Sequence, residues 1–420
     1  METTGTDTHQ SLWHDRAFLK LWAGQTISQV GSQISFLTLP LIAALTLNAT
    51  AFEMGVLAAI GSLPALIVGF YAGVMVDRRK RRPVLVTTDI ARALLLAIIP
   101  LAWVGGELTI ELLVVIAFAL GLCGLFFDLA YQAFLPHVVH REQLVEGNAK
   151  LELSRTVAEI AGPGFAGVLL HLVTAPLLVL LDAASYLGSG LLIASIRSSE
   201  TANRQPSHKQ GVWQDIREGL GLVTSRGVLR SSVGCTILLG FFNAALEAVF
   251  VLYVVRVLHI GPALLGIIFG VGSIGFLIGT ALPVRMSHRV GFGTTTAVGV
   301  ALVALSDLMV PLAAGSPWLV VPLLMMAQFV FGIGITIFRV NQSSLRQSVV
   351  ADAFRGRVAS VIHVGVGGAI LLGALVGGVL GEVVGLRMTV AIAAAGELLV
   401  AVWIFYSPLK DVRQLAIRSV

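Results

Sequence analysis

The chain has 420 residues, of which 56% are hydrophobic and only 12% charged, with a mean hydropathy of +0.90. A water-soluble domain needs about 25% charged residues to keep its surface wet, so this surface has to face lipid. A soluble enzyme or regulator is thereby excluded. The excess of 28 Lys+Arg over 23 Asp+Glu sits in connecting loops and needs no nucleic acid to explain it.

The polar start, Met1 to Asp15, lacks the basic region and small-residue cleavage site of a secretory signal. The first apolar run, from about Leu21 to Leu47, is too long for a signal's core and is expected as a retained first span. Apolar runs predict twelve transmembrane helices, at 19–46, 52–76, 84–104, 110–135, 151–173, 176–196, 229–256, 262–286, 293–314, 317–338, 357–382 and 387–407, the tenth able to run on past Asn341. Helices satisfy their backbone groups within the segment. Barrel strands would be about ten residues of alternating polarity, whereas these runs are longer and apolar all round.

Lys and Arg cluster on one side of this arrangement: Arg16 and Lys20, the run Arg78 to Arg82, Arg141 and Lys150, Arg285 and Arg289, Arg346, Arg355 and Arg357, and the tail with Lys410, Arg413 and Arg418. The opposite loops hold only Arg256 and Arg387 at their edges. The positive-inside rule then puts both termini in the cytoplasm of a cell with an inner or plasma membrane. The longest connection divides the chain into a six-helix bundle at 1–196, a cytoplasmic linker at 197–228, and a second bundle with a short tail at 229–420. In the linker, Val212, Trp213, Ile216, Leu220 and Val223 recur at helical spacing. That fits either a helix lying on the membrane surface or an ordinary linker helix. The halves echo one another at an offset of 211 residues, Gly162 and Gly167 falling on Gly373 and Gly378, and Asp128 on Arg339. Two parallel six-helix halves are one known repeat design of secondary transporters, with the solute site between them.

Between the second and third spans stands Gly73-Val-Met-Val-Asp77-Arg78-Arg79-Lys80-Arg81-Arg82. It resembles the loop signature G-x-x-x-D-R-x-G-R-R of the major facilitator superfamily, with lysine where position 80 would be glycine. The resemblance implies a fold of two pseudo-symmetric six-helix bundles and a cytoplasmic gate made by Gly73, Asp77, Arg78, Arg81 and Arg82. Physically, a glycine allows close helix approach, an anion at a helix end can cap another helix, and the arginines can pair with carboxylates or anionic headgroups. Ala161-Gly162-Pro163-Gly164-Phe165-Ala166-Gly167 in the fifth span is similar to the G-P-x-x-G-G element of exporters in that superfamily. Gly162, Pro163 and Gly167 carry that likeness. Asp89 to Arg92, Phe127-Asp128 and Asn341-Gln342 through Arg346 resemble the subgroup containing macrolide efflux proteins and the enterobactin exporter.

Polar groups inside the spans each need a reason, since a buried charge costs roughly 3 kcal/mol or more. Gln25, Gln29 and Gln33 recur every four residues along the first span, so their amides share a stripe that faces either a wet cavity or another helix. Asn243 and Glu247 stand one turn apart in the seventh span, the counterpart of the first. These five are the expected substrate cavity. Glu247 is a candidate for proton coupling, against a structural, hydrogen-bonded carboxyl. Asp128 either serves the cavity and the proton or pairs with an arginine of the gate, the latter being favoured. Asp89 and Arg92 neutralise one another, and Asp182, Asp307, Glu159 and Glu397 read as structural.

Cys123 and Cys235 lie in apolar runs without metal-ligand spacing. No H-E-x-x-H and no Gly-x-x-x-x-Gly-Lys-Ser/Thr occurs, so no metal, cofactor or direct ATP use is expected. The expected function is export of small, partly hydrophobic organic compounds of drug, antibiotic or siderophore type by proton antiport with alternating access, in a monomer whose partners are the solute, protons and the bilayer. An importer or uniporter of a small metabolite on the same fold is the alternative; an integral-membrane enzyme ranks below both.

Overall fold

The computed structural model describes residues 12–140, 143–196 and 212–411, save the side chains of Phe70, Asp77, residues 212–216, Gln347, Asp352, Ala353 and Asp411. The loop residue Arg141, linker residues 197–211 and the tail with Arg413 and Arg418 lie outside the described residues. Every regular element among the described residues is helical.

The first half comprises α1 (Arg16–Leu41), α2 (Ala51–Ile60), α3 (Leu63–Asp77), α4 (Arg81–Val104), α5 (Ile110–Val138), α6 (Leu144–Leu169) and α7 (Ala175–Ala194). The linker supplies α8 (Val212–Ser225). The second half comprises α9 (Gly227–Arg256), α10 (Pro262–Val290), α11 (Phe292–Leu312), α12 (Pro317–Val349), α13 (Asp352–Val383) and α14 (Leu386–Tyr406). Eleven stretches among the described residues are long and apolar enough to cross a membrane. The twelfth crossing, α6, fails that criterion because Glu146, Lys150, Glu152, Arg155 and Glu159 load its first half. It nevertheless returns the chain from α5 to α7.

Two of the spans are less regular than the sequence reading has them, and a third extends as expected. The first span ends in a π-helical turn, Ile42–Thr46, just after Pro40. The second span is two helices, because Gly61 and Ser62 interrupt it ahead of Pro64. Pro64 has no N–H to donate to the Ile60 carbonyl one turn back, and irregular backbone at membrane depth is tolerated where it lines a cavity. Gly61 does line one. A capping box then starts α2: Thr50 Oγ1 accepts from Glu53 N at 3.2 Å and Glu53 Oε2 accepts from Thr50 N at 2.7 Å. The tenth span, α12, does run on beyond Asn341, to Val349.

The packing pattern repeats. α1 packs on α6 and α7, α4 on α5 and α7, and α3 on α5; correspondingly α9 packs on α13 and α14, α11 on α12 and α14, and α10 on α12. The halves meet along two seams, α2 against α13 and α6 against α10. Both seams are drawn tight at the ends away from the basic loops. A Cβ built on Gly55 would lie 2.6 Å from the Ala374 carbonyl oxygen and 2.8 Å from Gly378 Cα, and one on Gly167 would collide with Gly266 Cα. Gly55 and Gly266 are separated by the same 211 residues as Gly167 and Gly378, so the two seams are symmetry mates. Glu382 Oε2 accepts from Phe52 N at 3.4 Å, and Arg256 donates to the Ala44 carbonyl at 3.2 Å, joining the halves at the same end. Toward the basic loops no comparable glycine contact joins the halves among the described residues: a Cβ on Gly69 or Gly73 would meet no atom within 4 Å. The molecule is closed on the far face and open on the basic face.

The linker helix belongs to the second half. Val223 and Leu222 of α8 join an apolar cluster with Leu229, Val233, Val350, Val358 and Val361. Glu218 pairs with Arg357 of α13 at 2.8 Å. Leu220 stays half exposed, and the side chains of Trp213 and Ile216 lie outside the described residues.

The seams give a direct prediction. Leucine at position 167 or 378 has no room and should destabilise the protein by about 1–3 kcal/mol, as overpacking does. It should also admit a membrane-impermeant thiol reagent from the far face to a cysteine placed in the cavity. Gly73→Ala should change neither thermal unfolding nor that labelling.

Candidate functional site

Between the halves lies a cavity of about 550 Å³, walled by Phe36, Leu57, Phe250, Phe269, Phe276 and Phe331 among other apolar side chains. Its polar lining is sparse: Gln33, Ser35, Glu159, Asn243, Glu247, Ser273, Asp307, Gln328 and Arg339 are the groups that bear amides, hydroxyls or charge around the cavity proper. A vestibule of about 590 Å³, lined by Arg346, Arg355 and His363, lies on the basic side and shares Ile370 with the cavity. Such an aromatic cavity with few convergent polar groups suits a partly hydrophobic organic solute.

Of the five residues expected to line the cavity, Gln33, Asn243 and Glu247 do so. Gln25 and Gln29 are not among its lining residues. Gln25 is 7% exposed, and its Nε2 finds no hydrogen-bond partner among the described residues. The drift of a helix explains the division, because positions four apart advance about 40° around the axis beyond a full turn. Gln33 is held in place by α6, where Gly162 leaves space for its Cβ and Cγ.

Glu247 projects its carboxyl into the cavity and feels the charge of Arg339 across it. Neither forms a hydrogen bond or an ion pair within 4 Å among the described residues. Asp128, favoured above as a partner of the gate arginines, is instead an exposed group under the influence of Arg92 and Arg155. It lies ten residues in from the end of α5, too deep for the loop to reach in this conformation.

Of the gate residues, Arg78 is exposed on the basic face and the side chain of Asp77 lies outside the described residues. Arg81 is 6% exposed at the start of α4. Arg82 donates to the carbonyls of Ile193 (3.3 Å) and Ala194, and Lys20 to that of Ser195 at 3.0 Å. Both cations thus satisfy carbonyls that the end of α7 leaves open. The helix-five residues divide between two faces: Gly162 meets α1, while Pro163 and Gly167 face Gly266 of α10. α6 stays helical through Pro163.

The acids of the first half are neutralised locally. Asp89 stands 3.7 Å from Arg92, whose guanidinium lies 4.6 Å from the Phe127 ring centre and 5.1 Å from that of Tyr186. Asp182 accepts from the hydroxyls of Ser35 and of Ser185, the latter at 3.1 Å. Arg155 pairs with Glu159 at 2.9 Å on the cavity side of α6. Asn341 and Gln342 stitch α12 to its neighbours, Asn341 accepting from Ser287 at 3.3 Å and Gln342 from Ser232. On the far face Arg387 donates to Pro311 and Ala313 carbonyls at 2.8 and 2.7 Å, closing the end of α11. Cys123 and Cys235 are both unpaired thiols, Cys235 fully buried.

The sequence matches the family model of the Major Facilitator Superfamily over residues 21–351 and again over 233–418. The chain belongs to that superfamily. Among relatives, the multidrug efflux pump Tap of Mycolicibacterium fortuitum is 26% identical over 86% of this chain and 88% of its own. The macrolide efflux protein A of Streptococcus pyogenes is 23% identical, but over 49% of this chain and 51% of that protein. A crystal structure of the nucleoside transporter NupG superposes with a TM-score of 0.74 at 14% identity, covering 93% of this chain and 98% of that one; the likeness is one of fold. A superfamily member is a transporter of small solutes and not an enzyme.

For this facilitator chain, sequence reasoning missed Arg339 and set aside Glu159 and Asp307 as structural, although all three line the cavity. Arg339 was legible in principle: Gln328, Phe331 and Arg339 fall on one face of α12, at spacings of eight and eleven residues. The geometry predicts a sharp contrast between two charges. Arg92→Leu leaves Asp89 buried without its cation and should cost about 3–5 kcal/mol in unfolding stability. Glu247→Gln, facing open space, should stay within about 0.5 kcal/mol of the parent. Thermal unfolding of the purified proteins in one detergent checks both.

Proposed function

We propose that the protein exports small, partly hydrophobic organic compounds across the cell membrane by proton antiport. The observation that carries this reading is the aromatic cavity shared by both halves, open to the basic face and holding a carboxylate, Glu247, that no group among the described residues neutralises in contact. A solute would enter from the basic face or the adjoining leaflet and settle among the aromatic side chains, with Gln33, Asn243 and Glu247 offering hydrogen bonds. The halves would then rock about the cavity, parting the glycine seams and closing the basic side. In the closed state Gly73, Asp77, Arg78, Arg81 and Arg82, with Asp128 behind them, would form the latch. Pro163 and Gly167 would serve as the hinge face on which α6 slides past α10, while Gly162 would keep α6 seated on α1.

The basic face would be cytoplasmic, with both termini on that side, and a monomer contains every group the cycle needs. Two relatives bear names describing multidrug and macrolide efflux, which supports export over uptake. A proton moving inward through the same cavity would supply the driving force, since Glu247 must alternate between charged and neutral if it is to cross between aqueous faces.

Expression in an efflux-deficient bacterial host, with a panel of lipophilic dyes and antibiotics, tests the whole reading. Accumulation of at least one compound should fall, an uncoupler should restore it, and Glu247→Gln should abolish the uncoupler-sensitive part. Raised accumulation on expression, or efflux indifferent to the uncoupler, would defeat the antiport scheme.

A further inference from the structure

The two halves treat their buried acids differently. Each half places acidic residues between its third and sixth spans, on α4 and α7 in the first and on α11 and α14 in the second. In the first half Arg92 stands 3.7 Å from Asp89, whose oxygens accept no hydrogen bond among the described residues, and two serine hydroxyls donate to Asp182. In the second half Asp307 of α11 is 5% exposed and Glu397 of α14 is 0% exposed. α11 packs on α14, and each of the two carboxyls acts electrostatically on the other. Asp307 Oδ2 and both oxygens of Glu397 are buried, and no protein donor reaches them among the described residues.

A carboxylate only accepts, so two ionised carboxyls side by side would repel and leave these three buried oxygens without donors. Burying even one such charge without a partner is costly. One proton held between the two carboxyls removes the repulsion and gives one of those oxygens a donor, leaving a single charge on the pair. Asp307 also lines the cavity and feels Glu247 of α9, which in turn feels Arg339 of α12. α10 contributes no titratable side chain to this neighbourhood; Glu247, Arg339 and the pair itself are the charged groups that face it from α9, α11, α12 and α14.

We infer that Asp307 and Glu397 form the proton-holding site of this transporter, and that Glu247 is its door to the cavity. With one proton on the pair and Glu247 ionised, the cluster including Arg339 carries a net charge of −1; a second proton makes it neutral. That second proton is the transported one. In the conformation seen here it leaves a carboxylic O–H of the pair, forms an O–H on Glu247, and passes to cavity water on the basic side. When the far side opens it is replaced from that face. The assignment rests on the antiport reading above, and it moves the storage of the proton from Glu247 to a buried pair of which Asp307 alone borders the cavity.

The test uses the full-length protein in liposomes with ethidium as the transported probe and a trapped pH dye. Asp307→Asn and Glu397→Gln should each lose pH-gradient-driven ethidium movement and the accompanying proton flux. Each should keep ethidium exchange at equal pH on both sides, which needs no net proton movement and also shows that the variant is folded. The ethidium-induced infrared difference spectrum should lose a deuterium-sensitive carboxylic C=O band in both variants, and Glu397→Asp should retain part of the coupled flux. Full coupling in both amide variants, with coupling lost only in Glu247→Gln, would overturn the pair as the proton site while leaving antiport intact. A parent protein indifferent to the pH gradient, or driven by sodium instead, would overturn both. Loss of exchange together with coupling in the amide variants and in Glu397→Asp alike would also overturn it, assigning the pair a structural part.

Discussion

Two backbone contacts, Gly55 against Gly378 and Gly266 against Gly167, decide where this molecule is closed. Helices in lipid gain nothing from burying apolar surface against one another, because the solvent is as apolar as the side chains. They associate where small residues let backbones come close enough for dispersion to act. The two contacts are related by the internal repeat, so one device is used twice, and each use joins a second or eighth span to a fifth or eleventh. The opening on the basic face is the complement of this. With the far ends pinned and only open space at Gly69 and Gly73, the cavity drains in one direction.

The charges follow from the same scarcity of water. Few of the buried or half-buried cations are left to solvent. Lys20 and Arg82 close the end of α7, Arg387 closes that of α11, and Arg256 reaches across the halves to the turn after α1. A helix end in or near hydrocarbon has carbonyls without partners, so a long cationic side chain from a neighbour is the cheapest remedy. Arg82 therefore has a definite task within its own half in this conformation, whatever it does when the basic side shuts. The acids divide between those given such a partner and those turned toward the cavity, and the second group is where transport chemistry can occur.

Much of the fold was legible without coordinates. Uncharged runs of about twenty residues fix the spans, and the loop charges fix which ends lie together. The weak echo of Gly162 and Gly167 in Gly373 and Gly378 announced the duplication. The site was legible only in part. Gln33, Asn243 and Glu247 were found because polar residues in an apolar run stand out, and the pairing of Asp89 with Arg92 because a spacing of three is local. Asp307 and Glu397 were seen as isolated acids; ninety residues apart, nothing in their spacing could join them. Arg339 was passed over because it sits near the end of an apolar stretch, where a cation is ordinarily read as a topological marker.

The sequence by itself determined the solvent of this protein, the number of its crossings, and its division into two similar halves, because hydropathy and charge act on each segment independently of the others. The tertiary structure decided what those segments do to one another. It showed which of three aligned glutamines sees the cavity, which glycines meet across the halves, and which buried acids have a cation and which have only each other. Those outcomes depend on helix rotation and on contacts between residues far apart in the chain, and no local pattern encodes either.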